Sequence, residues 1–92
     1  MPESRSIHIR ISGRVQGVSF RVWTERQATQ LGLSGWVRNR ANGDVEAVFS
    51  GPAAAVDAML AACRRGPRLA RVESVEIVGP AEPHAGPFAI RS

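Results

Sequence analysis

The chain has 92 residues, which suits one domain, residues 1–92, with a single hydrophobic core. Hydrophobic residues make up 43% of it, which excludes a disordered tail, and no apolar run approaches the roughly 18 residues that span a bilayer. The net charge of +4 comes with 12 arginines and no lysine, a balance that attracts anions but does not separate small phosphates from nucleic acid. Arginine's planar fork suits phosphate recognition; a GC-rich genome would give the same bias without a function attached. Met1–Ser6 is polar and shows no signal-peptide pattern. The single cysteine, Cys63, has no Cys or His partner at metal-ligand spacing and reads as a small apolar residue on a helix. A cytoplasmic protein with no metal and no cofactor is expected.

Ser6–Ser12 alternates, with Ile7, Ile9 and Ile11 on one face and His8 and Arg10 on the other, which predicts a half-buried strand. A glycine-containing loop, Gly13 to Ser19, leads into a helix over Phe20–Leu31, with Phe20, Trp23, Ala28 and Leu31 as its core side. Gly32 sits where a left-handed cap belongs. Leu33–Arg40 and Asp44–Ser50 read as strands joined by Asn42-Gly43, a two-residue hairpin signal. Pro52 is placed to open a second helix carrying Val56, Met59, Leu60 and Cys63, and Gly66-Pro67 closes it. Leu69–Val78 is the fourth strand, with Val72, Val75 and Ile77 apolar and a break in alternation near Glu73-Ser74 that suggests a bulge or a late start. After a Pro-rich connection, Phe88 and Ile90 mark a short last strand. The order βαββαβ plus a terminal strand predicts an α+β, ferredoxin-like sandwich: an antiparallel sheet with two helices on one face.

The loop Gly13-Arg14-Val15-Gln16-Gly17-Val18-Ser19-Phe20-Arg21 joins a strand to a helix start. Glycines let it turn tightly, and successive backbone N–H groups in such a turn converge on an anion. The helix N-terminus adds unpaired N–H groups and partial positive charge. Arg21 falls in the first helical turn, where a cation is misplaced by roughly 0.3–1 kcal/mol. A bound anion would reverse that, since a charge-assisted hydrogen bond is worth about 1.5–3 kcal/mol net. A solvated surface arginine fits the same position. A P-loop would need wider glycine spacing and a Lys, and the dinucleotide Gly-x-Gly-x-x-Gly pattern is absent.

Asn39 lies at the end of the second strand on the face of Val37, with Arg38 and Arg40 opposite. Asn is poor in strands, and its amide both accepts and donates, which suits holding a water. It serves equally as the first residue of a turn. Alternation alone leaves open whether Trp36 or Val37 faces the core.

Residues 13–21, Gly-Arg-Val-Gln-Gly-Val-Ser-Phe-Arg, and residues 35–39, Gly-Trp-Val-Arg-Asn, together closely resemble the acylphosphatase family. Asn42-Gly43, Val45, Gly51-Pro52 and the closing Phe88-Ala89-Ile90-Arg91 extend the resemblance over nearly the whole chain. It implies metal-free hydrolysis of acyl phosphates to a carboxylate and inorganic phosphate. By matching position, Arg21 would bind the phosphate and Asn39 orient the attacking water. The backbone amides of Val15, Gln16, Gly17, Val18, Ser19 and Phe20 would cradle the phosphoryl oxygens. No strong general base is implied; a phosphate oxygen of the substrate would take the proton.

Gly13 and Thr24 are supporting candidates: Thr24 would brace the loop or Asn39, or stand as an exposed helix threonine. Arg14 reads as loop structure, and His8 and His84 as non-catalytic. Ser19 has no Ser-His-Asp surroundings. Two other readings compete: a nucleic-acid-binding ferredoxin-like module, and a catalytically silent domain of the same fold. With only five aromatic residues and no RNA-binding signature, no specific nucleic acid is expected. The expected partner is a small acyl phosphate, with no membrane and a monomeric chain.

Overall fold

The computed structural model describes residues 3–92; Met1 and Pro2, the start of the polar N-terminal segment, lie outside the described residues. The elements run β1 (Ser4–Arg14), α1 (Phe20–Gln30), β2 (Ser34–Asn39), β3 (Val45–Pro52), α2 (Ala53–Arg65), β4 (Arg71–Pro80) and β5 (Ala89–Ile90). The sheet order is β4-β1-β3-β2-β5, and the two helices cover one face, the ferredoxin-like α+β arrangement. β1 to β4 pair antiparallel, as expected. The added β5 runs parallel to β2, so the complete sheet is mixed.

Alternation along the central strands puts Ile7, Ile9 and Ile11 of β1, Val37 of β2, and Val45, Ala47 and Phe49 of β3 under the helices. α2 contributes Val56, Met59, Leu60 and Cys63 at helical spacing. Phe88 stacks on Phe49 with ring centroids 5.6 Å apart, which fastens β5 to the sheet. Each fully buried aromatic or aliphatic side chain of this set contributes about 1.5–3 kcal/mol. Burial pushes the Cys63 thiol up to about 12, offset only slightly by Arg64, so it is an inert packing residue.

In α1 the fully buried stripe is Phe20, Thr24 and Ala28, four residues apart; Trp23 and Leu31 are only partly covered. The small Thr24 and Ala28 let the helix lie close to the sheet, whereas Trp23 packs beside Phe20 at 5.3 Å between centroids. Gly32, at φ +72°, ends the helix: its N–H donates to Thr29 O and that of Leu33 to Ala28 O, the paired bonds of a Schellman cap.

Two connections differ from the sequence expectation. The β2–β3 turn is longer than two residues: Arg40 N–H donates to Asp44 O, enclosing Ala41, Asn42 and Gly43. Only Gly43 takes positive φ there, while the Asn42 side chain accepts from the Asp44 N–H at 3.0 Å, an Asx turn. Pro52 ends β3 with extended backbone instead of opening α2, and the freed first helical N–H, of Ala53, donates to Glu3 O at 2.8 Å. β4 carries two bulges, one at Glu73, where the break in alternation suggests one, and one at Val78; neither residue has an opposite on β1. Ile77, one of the apolar residues expected in this strand, opposes Ile9 and stays 45% exposed on the edge strand of the sheet.

Candidate functional site

The loop after β1 is shaped by backbone constraints that only particular residues meet. Gly13 has φ +120°, and a Cβ there would fall 2.1 Å from Arg71 O, so only glycine lets β1 and β4 close at this point. Gly17 at φ +74° and Ser19 at φ +61° are left-handed; such turns curl successive amides into a concave nest. For a serine that conformation costs about 1–3 kcal/mol and persists only where its surroundings enforce it. Val15 is fully buried beneath the loop and Val18 packs partly on the core. The Gln16 Nε2 donates to Arg40 O at 2.8 Å and Asp44 O at 2.9 Å, tying the loop to the β2–β3 turn.

This anchoring leaves the loop's own donors free. Among the described residues, no backbone N–H from Val15 to Ser19 donates to a protein acceptor. Those of Phe20, Arg21 and Val22 lie in the first turn of α1, and intrahelical bonding begins with Trp23 N–H to Ser19 O at 3.0 Å. A run of unpaired amides at a helix N-terminus is the arrangement that can receive an anion.

Packing settles the question left open in β2. Val37 is fully buried under the helices and Trp36 lies on the other face, so Asn39 shares the helix side with the loop. Asn39 and Arg21 line one cavity of about 380 Å³ together with Val15, Gln16, Gly17, Ser19, Phe20 and Val22. All the residues expected to act on the phosphate therefore meet there except Val18, which is turned toward the core. The Arg21 guanidinium donates to Arg91 O at 3.2 Å and pairs with no carboxylate among the described residues. The Asn39 amide likewise has no side-chain hydrogen bond among them. Thr24 is buried and donates to Phe20 O at 2.8 Å, so it braces the loop's helical end and does not reach Asn39.

The opposite sheet face holds a network that sequence reading did not single out. Glu46, 4% exposed, accepts from His8 Nε2 and Arg38 Nε, each at 2.5 Å, with Arg40 Nη1 at 3.3 Å. Burial pushes the Glu46 carboxyl up, but the hydrogen bonds from Arg38 and His8 and their charges overcome this and hold it below the usual carboxylate range. Period-two spacing could have shown His8, Arg38 and Glu46 sharing the face opposite the core. Trp36 lies beneath Arg91 at 4.7 Å and Arg38 at 5.2 Å from its ring centroid. With Arg91 N–H bonded to Val37 O at 2.8 Å, this fixes the carbonyl that holds Arg21. His84 sits in the β4–β5 connection, its N–H on Ser50 Oγ, away from the cavity. No group of three His, Cys, Asp or Glu gathers as a metal-ligand set among the described residues.

Comparison with known proteins agrees with the geometry. The family model described as acylphosphatase matches residues 7–90. An acylphosphatase of Rhodospirillum rubrum is 54% identical over 85 residues, covering 92% of this chain and 93% of its own. The structure of an acylphosphatase from Coxiella burnetii superposes with a TM-score of 0.90 at 34% identity, over 96% of this chain and 93% of that one. The crystal structure of acylphosphatase from Bacillus subtilis gives 0.88 at 30% identity, over 98% of this chain and all of that one, 100%. The match spans both the unpaired-amide loop and the strand that carries Asn39, and the chain belongs to the acylphosphatase family.

Proposed function

We propose that this chain is a single-domain enzyme that hydrolyses small-molecule acyl phosphates to a carboxylate and inorganic phosphate without a metal. The observation that carries this is the row of unpaired amides from Val15 to Phe20, in a loop whose residues other than Val18 line one cavity with an arginine and an asparagine that have no side-chain partner among the described residues. The amides and Arg21 hold the phosphoryl oxygens, which gather charge in the transition state. The Asn39 amide, free of other hydrogen bonds among the described residues, has both a donor and an acceptor to offer and holds the attacking water in line with the scissile P–O bond. The water oxygen bonds to phosphorus as the P–O bond to the acyl group breaks, and the electron pair leaves with the carboxylate. The proton passes to a phosphate oxygen. An acyl carboxylate leaves readily, so no strong acid is needed, and no His or carboxylate lines the cavity.

The same reading takes the protein as monomeric and cytoplasmic. Among the described residues no helix is long and apolar enough to cross a membrane. Trp36 is already stacked beneath two arginines, which leaves it a poor platform for a nucleic-acid base. Phosphate release from benzoyl phosphate in the presence of EDTA tests the proposal. Turnover unaffected by EDTA is expected. A protein that binds a short RNA tightly and leaves benzoyl phosphate intact would refute it.

A further inference from the structure

Gln16 belongs to both halves of the site. Its backbone N–H is one of the unpaired amides of the cradle, while its side chain reaches across to the β2–β3 turn. Nε2 donates to Arg40 O at 2.8 Å and to Asp44 O at 2.9 Å, so both of its hydrogens are engaged. Arg40 and Asp44 are the residues that close the turn, and Asn39 immediately precedes the first of them.

That turn has little else to hold it. β1 pairs with β3 only as far as Ile11 opposite Val45, and β5 pairs with β2 only as far as Val37 opposite Ile90. Asn39 faces Val45 in the last pair of the β2–β3 ladder, and residues 40–44 lie beyond the neighbouring ladders. Among the described residues, the two Gln16 bonds are the only hydrogen bonds between residues 40–44 and anything outside the β2–β3 hairpin. The loop is firm by contrast, with Val15 fully buried and Gly13 closing on β4. The Gln16 carboxamide is therefore the strut that sets the distance from the cradle to Asn39.

From this geometry we infer that Gln16 is a positioning residue for the hydrolysis. Its side chain holds Asn39, and through it the attacking water, in line with a phosphoryl group bound by the loop. The inference rests on the acyl phosphate reading of the cradle. It divides the residue between affinity and rate. The backbone amide holds phosphate whatever the side chain, whereas the carboxamide acts on the rate alone, since inorganic phosphate binds without an attacking water. Displacing a reacting group by about 1 Å costs on the order of a hundredfold.

The test is a double-mutant cycle between Gln16 and Asn39. Gln16→Met keeps the length of the side chain and the backbone amide but has no side-chain N–H to donate. It should lower kcat for benzoyl phosphate by about 10- to 100-fold and leave the inhibition constant of inorganic phosphate within about threefold of the wild type. In an Asn39→Ala background the same substitution should change kcat by less than about threefold, because no placed water remains to be lost. The Arg40 and Asp44 carbonyls keep the Gly43 and Arg40 N–H groups as partners, so the melting temperature should move little. Should the methionine variant not fold, Gln16→Ala is read by the same cycle. Unchanged kcat overturns the assignment. So does an equal loss of kcat in both backgrounds, or a phosphate inhibition constant that rises in step with the fall in kcat, since either makes the side chain a general brace of the loop. If the wild type releases no phosphate from benzoyl phosphate, the hydrolase reading fails and the positioning role fails with it.

Discussion

Replacing Arg21 with glutamine separates binding from folding in one experiment. Among the described residues the guanidinium's only protein bond is to Arg91 O at 3.2 Å, an exposed contact worth about 0.5–1.5 kcal/mol at most. Removing a cation from the first turn of a helix returns roughly 0.3–1 kcal/mol, so the two terms nearly cancel and the melting temperature should barely move. Phosphate binding has no such compensation. Loss of a charge-assisted hydrogen bond worth about 1.5–3 kcal/mol predicts an inhibition constant for inorganic phosphate raised about 10- to 150-fold, at 1.4 kcal/mol per factor of ten. The rate should fall as well, because the same donor faces the charge that spreads over the phosphoryl oxygens during transfer. Benzoyl phosphate hydrolysis followed by ultraviolet absorbance, with phosphate as competitive inhibitor and a circular dichroism melt as control, measures all three. A folded variant whose phosphate inhibition changes less than threefold would show that Arg21 does not hold the phosphate.

Asn39→Ala should lower kcat by about 100-fold, the scale of a misplaced nucleophile, with phosphate inhibition nearly unchanged; full activity would end the water-positioning role. Glu46→Gln should cost about 1–3 kcal/mol in a neutral-pH melt, since it weakens the bonds from His8 and two arginines. Because the folded-state carboxyl titrates below its ordinary value, its stabilisation is present above about pH 4.3 and lost as pH falls through the lowered value. The wild type should therefore lose stability on acidification in that window, and Glu46→Gln should flatten the dependence; parallel curves would count against the hub. Gly13→Ala and Gly17→Ala form a matched pair: both place alanine at positive φ, but only the first drives Cβ into a carbonyl. Gly17→Ala should cost about 1–2 kcal/mol. Gly13→Ala should cost more than about 3 kcal/mol, and equal losses in urea melts would refute the steric account.

Period and punctuation made most of the elements legible from the chain alone. Ile7, Ile9 and Ile11 alternate because one sheet face is buried, and Gly32 marks the helix end because its φ is left-handed. The Gly13–Arg21 motif likewise marked a tight loop with unpaired amides before a helix, since the glycines and the helix start are local features. Local signals failed where a distant strand intervened. Asn42-Gly43 reads as a two-residue turn, yet the Gln16 side chain occupies the Arg40 and Asp44 carbonyls from below and the turn is one residue longer. Alternation marks Ile77 as an apolar strand residue, but only the sheet order shows that its strand is an edge, which leaves it 45% exposed.

Sequence by itself thus determined the element order and the conformation of the loop, because backbone φ, alternation and helix ends depend on neighbouring residues. Only tertiary structure decided which face of β2 turns inward, since a strand's two faces differ only in what packs on them. Burial of Val37 put Asn39 beside the unpaired amides and Arg21, and sent Arg38 and Arg40 to the far side with Glu46. Those contacts join residues far apart in the chain, and no local pattern encodes them.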